Sequence, residues 1–453
     1  MRSWSPEQIA RAAGARLLTA PPNGSGPEHA TIDSRQAGPG ALFVGLRGQR
    51  SDGGRFAAPA LEAGAWGVLT APEHAEQAAG QAPSGVVLAA PDPLIALQRL
   101  ATGWRRELGA EVIGVTGSTG KTSTKDLLLA VLAPHRRTVA SRANFNTEIG
   151  LPLEILAAPA GTEVLVLEMA MRGAGQIAEL AAVAEPDVGV IVSVGPVHLE
   201  LLGSVEAVAA AKAELIAALA PGATAVIPAG EELLIPHLRA DLDTVTFGDG
   251  GDVRLLGGAA DRVEIGAGDE RIAIEVNFEQ AHLRRNLLAA VAAARAIGVT
   301  PSGRVELALS PGRGRRLTLT GDVMLIDDCY NANPMSMRAA LDELAAAARR
   351  ERSSRRVAVL GDMLELGETE AELHAQVGEH AAASGVDLLV TVGPRAQRMT
   401  ERFGGEVRAV PDAGSAAELV PGLLRPGDMV LVKGSRGVGL ELVCRALAPE
   451  ERA

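Results

Sequence analysis

The stretch Val112-Ile113-Gly114-Val115-Thr116-Gly117-Ser118-Thr119-Gly120-Lys121-Thr122 constrains this chain more than any other. An apolar run that breaks at glycines and resumes as a helix implies a buried strand, a tight loop and a helix packed back on the sheet. The loop's backbone N–H groups can wrap around phosphates, because glycine permits close approach. Lys121 adds a point charge, and the Thr122 hydroxyl can reach a magnesium ion. The full phosphate-loop pattern wants glycine at 115, where this chain has Val115, so G-x-x-G-K-T remains. A plain strand-to-helix turn explains the glycines but not the Lys-Thr pair behind them. The candidate nucleotide contacts here are Gly117, Ser118, Thr119, Gly120, Lys121, Thr122 and Ser123.

At 453 residues the chain exceeds one ordinary core, so two to four domains are expected. Hydrophobic residues make up 47% and charged residues 22%, a globular balance. Aromatics are only 2%, which leaves Ala, Val and Leu to build the cores. A net charge of −12 argues against a general nucleic-acid binder. Cys329 and Cys444 cannot make a disulfide framework and suit a reducing compartment. Ser5-Pro6-Glu7-Gln8 reads as a helix start with Pro at N1 and Gln at N3, not as a signal peptide. No apolar run reaches the ~20 residues of a membrane span. The expectation is a soluble, acidic, cytoplasmic monomer without a transmembrane segment.

Three regions follow one another. The first runs to about residue 107, with strand-like runs at 41–44, 67–69 and 86–88. The second alternates strands at 111–116, 164–167 and 188–194 with helices, the pattern of a largely parallel sheet. Its stretch 248–269 reads as hairpins, and a helix is predicted at about 283–297. The third starts near Pro311-Gly312. Four strand candidates at 323–326, 357–360, 388–392 and 429–432, separated by helical patterns, read as a small doubly wound unit. The expected domains are 1–107, 108–310 and 311–453.

Polar residues gather just past strand ends, the edge where open parallel sheets bind ligands. Glu168 closes the run 164–167, either as a metal-binding acid behind the phosphate loop or as a solvated strand-end glutamate. His198 follows the apolar run 190–194, where a loop histidine is a ligand less often than it is structural. Lys212 lies on a helical stripe with Val208, Leu215, Ile216 and Leu219, in a helix that Ser204 can cap and Pro221-Gly222 ends. Its amine either snorkels to water or is buried with a lowered pKa. Thr31-Ile32-Asp33-Ser34-Arg35 and Phe43-Val44-Gly45-Leu46-Arg47-Gly48 place hydroxyl, acid and arginine in the first region. Asp328-Cys329-Tyr330-Asn331-Ala332-Asn333-Pro334, Gly361-Asp362-Met363-Leu364-Glu365-Leu366-Gly367 and Lys433-Gly434-Ser435-Arg436 follow strands in the third.

Taken together these segments resemble the Mur ligase family, ATP-dependent amide ligases of peptidoglycan precursor synthesis. The phosphate loop, Asn144-Phe145-Asn146-Thr147-Glu148-Ile149-Gly150, Glu168, His198 and Lys212 look family-wide. The third-region segments look specific to the branch that adds D-alanyl-D-alanine to UDP-N-acetylmuramoyl-tripeptide. The resemblance covers nearly the whole chain. It implies an α/β protein of three domains: a small UDP-substrate domain, a central P-loop-type ATPase with a mostly parallel sheet, and a C-terminal Rossmann-like domain.

As cofactors the resemblance implies ATP and Mg²⁺, with Thr122, Glu168, His198 and a carbamylated Lys212 as metal ligands. It puts Asn286 near adenine and closes Asp328, Tyr330 and Asn331 on the nucleotide. It aims one arginine of 313–316 at the phosphates, Arg316 by its register before the strand-like 317–319, with Arg313 as the alternative. Lys121, Lys212, His198 and Arg316 are thus the candidate catalytic groups. Ser34, Arg35, Arg47, Asn144, Asn146, Thr147, Asn333, Lys433, Ser435 and Arg436 are candidate substrate contacts. The chain departs from the family at His282-Leu283, where His-Asn is frequent, and at Gly54, where histidine is common. Two other readings are another amide ligase of the family and a nucleotide-binding scaffold without catalysis. The third-region segments speak against the first. Retention of the whole metal set speaks against the second.

Overall fold

The N-terminal helix Pro6–Ala13 forms with the predicted capping box: the Ser5 side chain accepts from the Gln8 N–H, and the Gln8 side chain accepts from the Ser5 N–H. A computed structural model describes all residues except 2, 22–24, 50, 82–84, 143, 309–311, 354 and 449–453. Three sheets organise the chain. The first has five strands in the order Arg16–Thr19, Val86–Ala89, Gly67–Thr70, Ala41–Val44, His29–Thr31, parallel except for the first pair.

The second sheet has ten strands. Thr138–Ala140, Val164–Glu168, Glu111–Thr116, Val188–Ile191, Thr224–Pro228 and Asp243–Phe247 lie side by side and parallel. The predicted hairpins then extend it as the antiparallel meander Val253–Ala259, Arg262–Ala267, Glu270–Val276, and Gly303–Val305 adds the tenth strand parallel to the last of these. Strand 188 is shorter than the predicted 188–194 because the chain leaves the sheet after Ile191 to brace the phosphate loop.

In the third sheet the order is Arg315–Leu319, Val323–Asp327, Asp428–Lys433, Arg355–Gly361, Leu388–Val392, Glu406–Val410. Only the edge pair Arg315–Leu319 and Val323–Asp327 is antiparallel. The expected boundary at 107/108 falls at the end of the helix Pro93–Leu108, and the one at 310/311 lies outside the described residues.

The first two sheets share a core. Trp104, on Pro93–Leu108, meets Trp4 edge to face with ring centroids 5.4 Å apart. Its indole N–H donates to the Ala158 carbonyl at 3.0 Å, and both tryptophans join Leu151, Ile155 and Leu165 in one apolar cluster. The scarce aromatics are thus spent where two units must be welded together. The third sheet has its own cores on its two faces. Among the described residues no helix is long and apolar enough to cross a membrane.

Candidate active site

The phosphate loop hangs between the strand Glu111–Thr116 and the helix Lys121–Leu132. Gly120 has φ 80°, and a Cβ there would come within 2.9 Å of Asn286 Oδ1 and of Val192 Cγ1, so only glycine fits. Ser193 braces the loop. Its carbonyl accepts from the Ser118 N–H at 2.9 Å, and its hydroxyl accepts from the Thr119 N–H at 2.9 Å. The helix starts without a side-chain cap. Its first-turn N–H groups therefore face the loop as an anion site. Lys121 Nζ donates to the Gly117 carbonyl at 2.7 Å, folded over the loop it would share with a phosphate. Burial holds its pKa below the ordinary lysine value, partly offset by the charge of Glu168.

Glu168 is buried at the end of its strand, which removes the solvated-glutamate reading. Its Oε2 accepts from the Thr122 hydroxyl and its Oε1 from Asn146 Nδ2, both at 2.8 Å. A carboxylate fixed beside a hydroxyl behind a phosphate loop is a hard oxygen pair that fits Mg²⁺. Lys212 is 2% exposed on the helix Val205–Ala218, which Ser204 caps as predicted. Its amine is enclosed and does not snorkel. Burial first, and the charge of Lys121 second, push its pKa well below the usual value. His198 sits in left-handed backbone at φ 53°, its Nδ1 bonded to the carboxylate of Glu365. Burial lowers its pKa, and Lys121 and Lys212 both act on the ring, so the three side chains share one electrostatic neighbourhood.

The C-terminal domain closes over this edge. Tyr330 donates its hydroxyl to Asn144 Oδ1. Its ring carries Arg313 at 3.9 Å and Arg436 at 5.1 Å from the centroid. Asn333 caps the helix Pro334–Glu351 and reaches Ser118 O from Nδ2 at 3.4 Å. Lys433 is buried and donates to Asp328 Oδ2 at 2.7 Å and to the Asn331 carbonyl at 2.9 Å, bracing the 328–333 loop. Ser435 donates to the Ala332 carbonyl at 3.3 Å and accepts from the Leu364 N–H at 3.0 Å. Lys433 and Ser435 are therefore tied into their own domain.

Arg316 is not at the phosphate loop. It pairs with Glu343 and, at 3.3 Å, with Glu351, both on the helix Pro334–Glu351. The physical reason is strand register: Arg316 lies opposite Ile326 in an antiparallel edge pair, which delivers it to that helix. Arg313 instead stacks on Tyr330, and its charge reaches Lys121. Asn286, buried on the helix Ala281–Ala296, lies against the glycine of the phosphate loop. Half-buried Ser123 and the backbone of Thr147, whose carbonyl accepts from the Leu151 N–H at 2.9 Å, flank the site.

In the first sheet, Asp33 caps the short 3₁₀ turn Ser34–Gln36 and holds the exposed Arg35 side chain, with 2.6 Å between Asp33 Oδ2 and Arg35 Nη2. Arg47 bridges to Asp52 by its backbone, and His74 Nε2 lies 3.0 Å from Asp52 Oδ2. At Gly54 a Cβ would fall 2.2 Å from His74 Cδ2, so the histidine of the helix Pro72–Gln81 fills the space of a side chain at 54. Among the described residues, the one compact group of three His, Cys, Asp or Glu side chains is Asp327, Cys329 and Cys444. It is closed by its own bonds: Cys444 Sγ donates to Asp327 Oδ1 at 3.3 Å, and Gly312 N donates to Oδ2 at 3.0 Å.

Profiles of three families match in sequence order: "Mur ligase family, catalytic domain" over residues 28–104, "Mur ligase middle domain" over 115–294 and "Mur ligase, glutamate ligase domain" over 312–436. A UDP-N-acetylmuramoyl-tripeptide--D-alanyl-D-alanine ligase of Synechocystis is 37% identical over 428 residues, covering 92% of this chain and 91% of the relative. This chain belongs to the Mur ligase family. The Mycobacterium tuberculosis ligase of the same name is 36% identical over 501 residues, covering 98% of this chain and 97% of its own. Among solved Mur ligases, MurF of Thermotoga maritima in complex with ADP has a TM-score of 0.81 at 30% identity, with 94% of this chain and 98% of that one covered. MurF of Acinetobacter baumannii has a TM-score of 0.85 at 26% identity, with 99% of both chains covered.

Within this Mur ligase frame, sequence reasoning did not single out Ser193 or the contact of Glu365 with His198, and it ranked Arg313 behind Arg316. Ser193 had a legible signal, since it ends the apolar run 188–192 at the ligand edge. Arg313 and Arg316 should separate cleanly. Arg313→Ala is expected to lower kcat/KM for phosphate release by about 10²-fold, the cost of one missing cation at developing charge. Arg316→Ala should change kcat/KM less than about threefold while modestly lowering the unfolding midpoint, because the buried Glu343 loses one partner and keeps Arg350, at 2.9 Å. Steady-state kinetics and urea denaturation of both variants read the difference.

Proposed function

We propose that this chain is the ATP-dependent ligase that joins D-alanyl-D-alanine to UDP-N-acetylmuramoyl-tripeptide, releasing ADP and phosphate. The observation that carries the reading is the docking of Tyr330 and Asn333, from the third-region segments, onto Asn144 and the phosphate loop. It brings the branch-specific part of the sequence to the nucleotide edge. A carboxylate is a poor electrophile, and ATP overcomes this by converting the tripeptide carboxylate to an acyl phosphate. The amine of D-alanyl-D-alanine then attacks the carbonyl carbon, the C–O bond to phosphate breaks, and the amine's proton is lost to solvent or base.

The residues divide the work. The first-turn N–H groups behind Gly120, with Lys121 and Arg313, hold and neutralise the transferring phosphoryl group. Thr122, Glu168, His198 and Lys212 would hold Mg²⁺, which supplies charge neutralisation at the phosphates. The buried amine of Lys212, whose ammonium form burial disfavours, can add CO₂ with loss of a proton, and the resulting carbamate would provide oxygen ligands where an ammonium would repel a cation. Ser34, Arg35 and Arg47 are assigned to the UDP-sugar end, and Asn144, Asn146, Thr147, Asn333 and Arg436 to substrates between the sheets. Docking of the C-terminal domain excludes water from the acyl phosphate. The two free thiols, Cys329 and Cys444, support a cytoplasmic setting.

The test is product analysis by mass spectrometry with UDP-N-acetylmuramoyl-tripeptide, ATP, Mg²⁺ and D-alanyl-D-alanine. Pentapeptide, ADP and phosphate are expected, with phosphate release dependent on the dipeptide. Formation of AMP, or equal use of glutamate in place of the dipeptide, would overturn the assignment. Parallel runs with meso-diaminopimelate or lysine as the third residue identify the accepted tripeptide.

A further inference from the structure

The segment 361–367 has no part in the chemistry above, yet one of its residues reaches the centre of the site. Glu365 belongs to the C-terminal domain, and its Oε2 bonds His198 Nδ1 of the central domain. Its other oxygen lies 3.8 Å from Arg172 Nε, beyond the end of the strand Val164–Glu168. Its carbonyl accepts from the Glu200 N–H at 3.2 Å. Three elements of contact thus converge on one glutamate.

Both ends of this contact are conformationally unusual. Glu365 has φ 64° and His198 has φ 53°, left-handed values that non-glycine residues seldom adopt. Such geometry is unfavourable for a non-glycine residue and persists where surrounding structure enforces it. The enforcement is visible. Leu366 is buried, the Leu364 N–H donates to Ser435 Oγ at 3.0 Å, and the Met363 N–H donates to His374 Nε2 at 2.9 Å. At Gly367 a Cβ would sit 3.2 Å from Glu200 Cα, so the loop lies hard against the turn that carries His198. The loop is rigid on its own domain and presents the carboxylate outward.

We propose that Glu365 is a positioning residue that completes the metal site only when the C-terminal domain is docked. It does so by holding His198 through Nδ1 so that Nε2 is left as the ligating nitrogen. The inference rests on the reading of His198 as a metal ligand. A carboxylate can only accept here, so Nδ1 carries the hydrogen and Nε2 keeps its lone pair. When the domain swings away, Glu365 leaves with it and the imidazole loses the partner that fixes its tautomer and orientation. Metal affinity and domain closure are then linked, and each favours the other.

The experiment is a Mn²⁺ titration of the full-length protein, with a non-hydrolysable ATP analogue present, followed by the electron paramagnetic resonance signal of free Mn²⁺. Glu365→Ala is expected to weaken Mn²⁺ binding roughly 10- to 100-fold, the usual cost of losing such an outer partner. Glu365→Gln, whose amide oxygen can still accept from Nδ1, should recover most of that loss. The Mg²⁺ concentration for half-maximal phosphate release should rise in the same order. His198→Ala serves as the reference and should weaken Mn²⁺ binding at least as much. If Glu365→Ala binds Mn²⁺ like the parent while His198→Ala does not, the positioning role is wrong and the ligand reading stands. If His198→Ala itself binds Mn²⁺ normally, His198 is not a ligand and the proposal falls with that reading.

Discussion

Lys212→Ala is expected to abolish ligation while the protein stays folded. The lysine is 2% exposed, and burial together with Lys121 disfavours its ammonium form. Two like charges in one dry pocket would also repel the metal the site is built to hold. Adding CO₂ to the deprotonated amine, with a proton lost to solvent, would leave an anion where the ammonium would put a cation and relieve both problems. Losing the oxygens that carbamate offers should remove roughly 4 kcal/mol of transition-state stabilisation, about 10³-fold in rate. Alanine favours the helix Val205–Ala218, so the melting curve should change little. Acetate or another short-chain carboxylic acid should partly restore turnover by entering the vacated space. Buffers stripped of CO₂ should depress the parent enzyme, and bicarbonate should restore it. Near-normal turnover of Lys212→Ala would show that no carbamate takes part.

The second large effect is at Lys121. Its amine folds over the loop onto the Gly117 carbonyl, poised where the phosphate would lie. Lys121→Ala is expected to lower kcat by about 10²- to 10³-fold, as when one preorganised donor is removed from developing charge. KM for the UDP-linked tripeptide should change far less, because that substrate is assigned to the first sheet. Single-turnover measurement of phosphate formation separates the two. A variant that loses only nucleotide affinity, with the chemical step intact, would show that Lys121 binds without stabilising the transition state.

The strand–loop–helix of residues 111–132 was legible because an apolar run, two glycines and Lys-Thr in register leave few other structures. Lys212 was legible as an anomaly on an apolar stripe, but the sequence could not choose between burial and snorkelling. That choice depends on what packs above the helix, and here Leu215 and Val208 carry the stripe into the shared core. Of the two arginines left open for the phosphates, Arg316 looked better by its place before a strand. Pairing opposite Ile326 turns it towards Glu343 instead, and that register is a tertiary fact. The strand at 188 was read three residues too long, since Val192, Ser193 and Val194 are apolar or small enough to continue it. They leave the sheet to serve the phosphate loop: the Val192 N–H still donates to the Thr116 carbonyl at 2.8 Å, and Ser193 braces the turn. The segment carrying Glu365 was legible, but its contact with His198 was not, because the partner is 167 residues away and left-handed backbone has no composition signal.

Activation of a carboxylate as an acyl phosphate, followed by its transfer to an amine, leaves a signature that isotope transfer reads. UDP-N-acetylmuramoyl-tripeptide would be labelled with ¹⁸O in both oxygens of the reacting carboxylate and turned over with ATP, Mg²⁺ and D-alanyl-D-alanine. One oxygen becomes the bridge to phosphorus and leaves with it, and the other stays in the new amide. Inorganic phosphate carrying a single ¹⁸O and pentapeptide retaining one are expected. Unlabelled phosphate, or label appearing in AMP, would contradict this route.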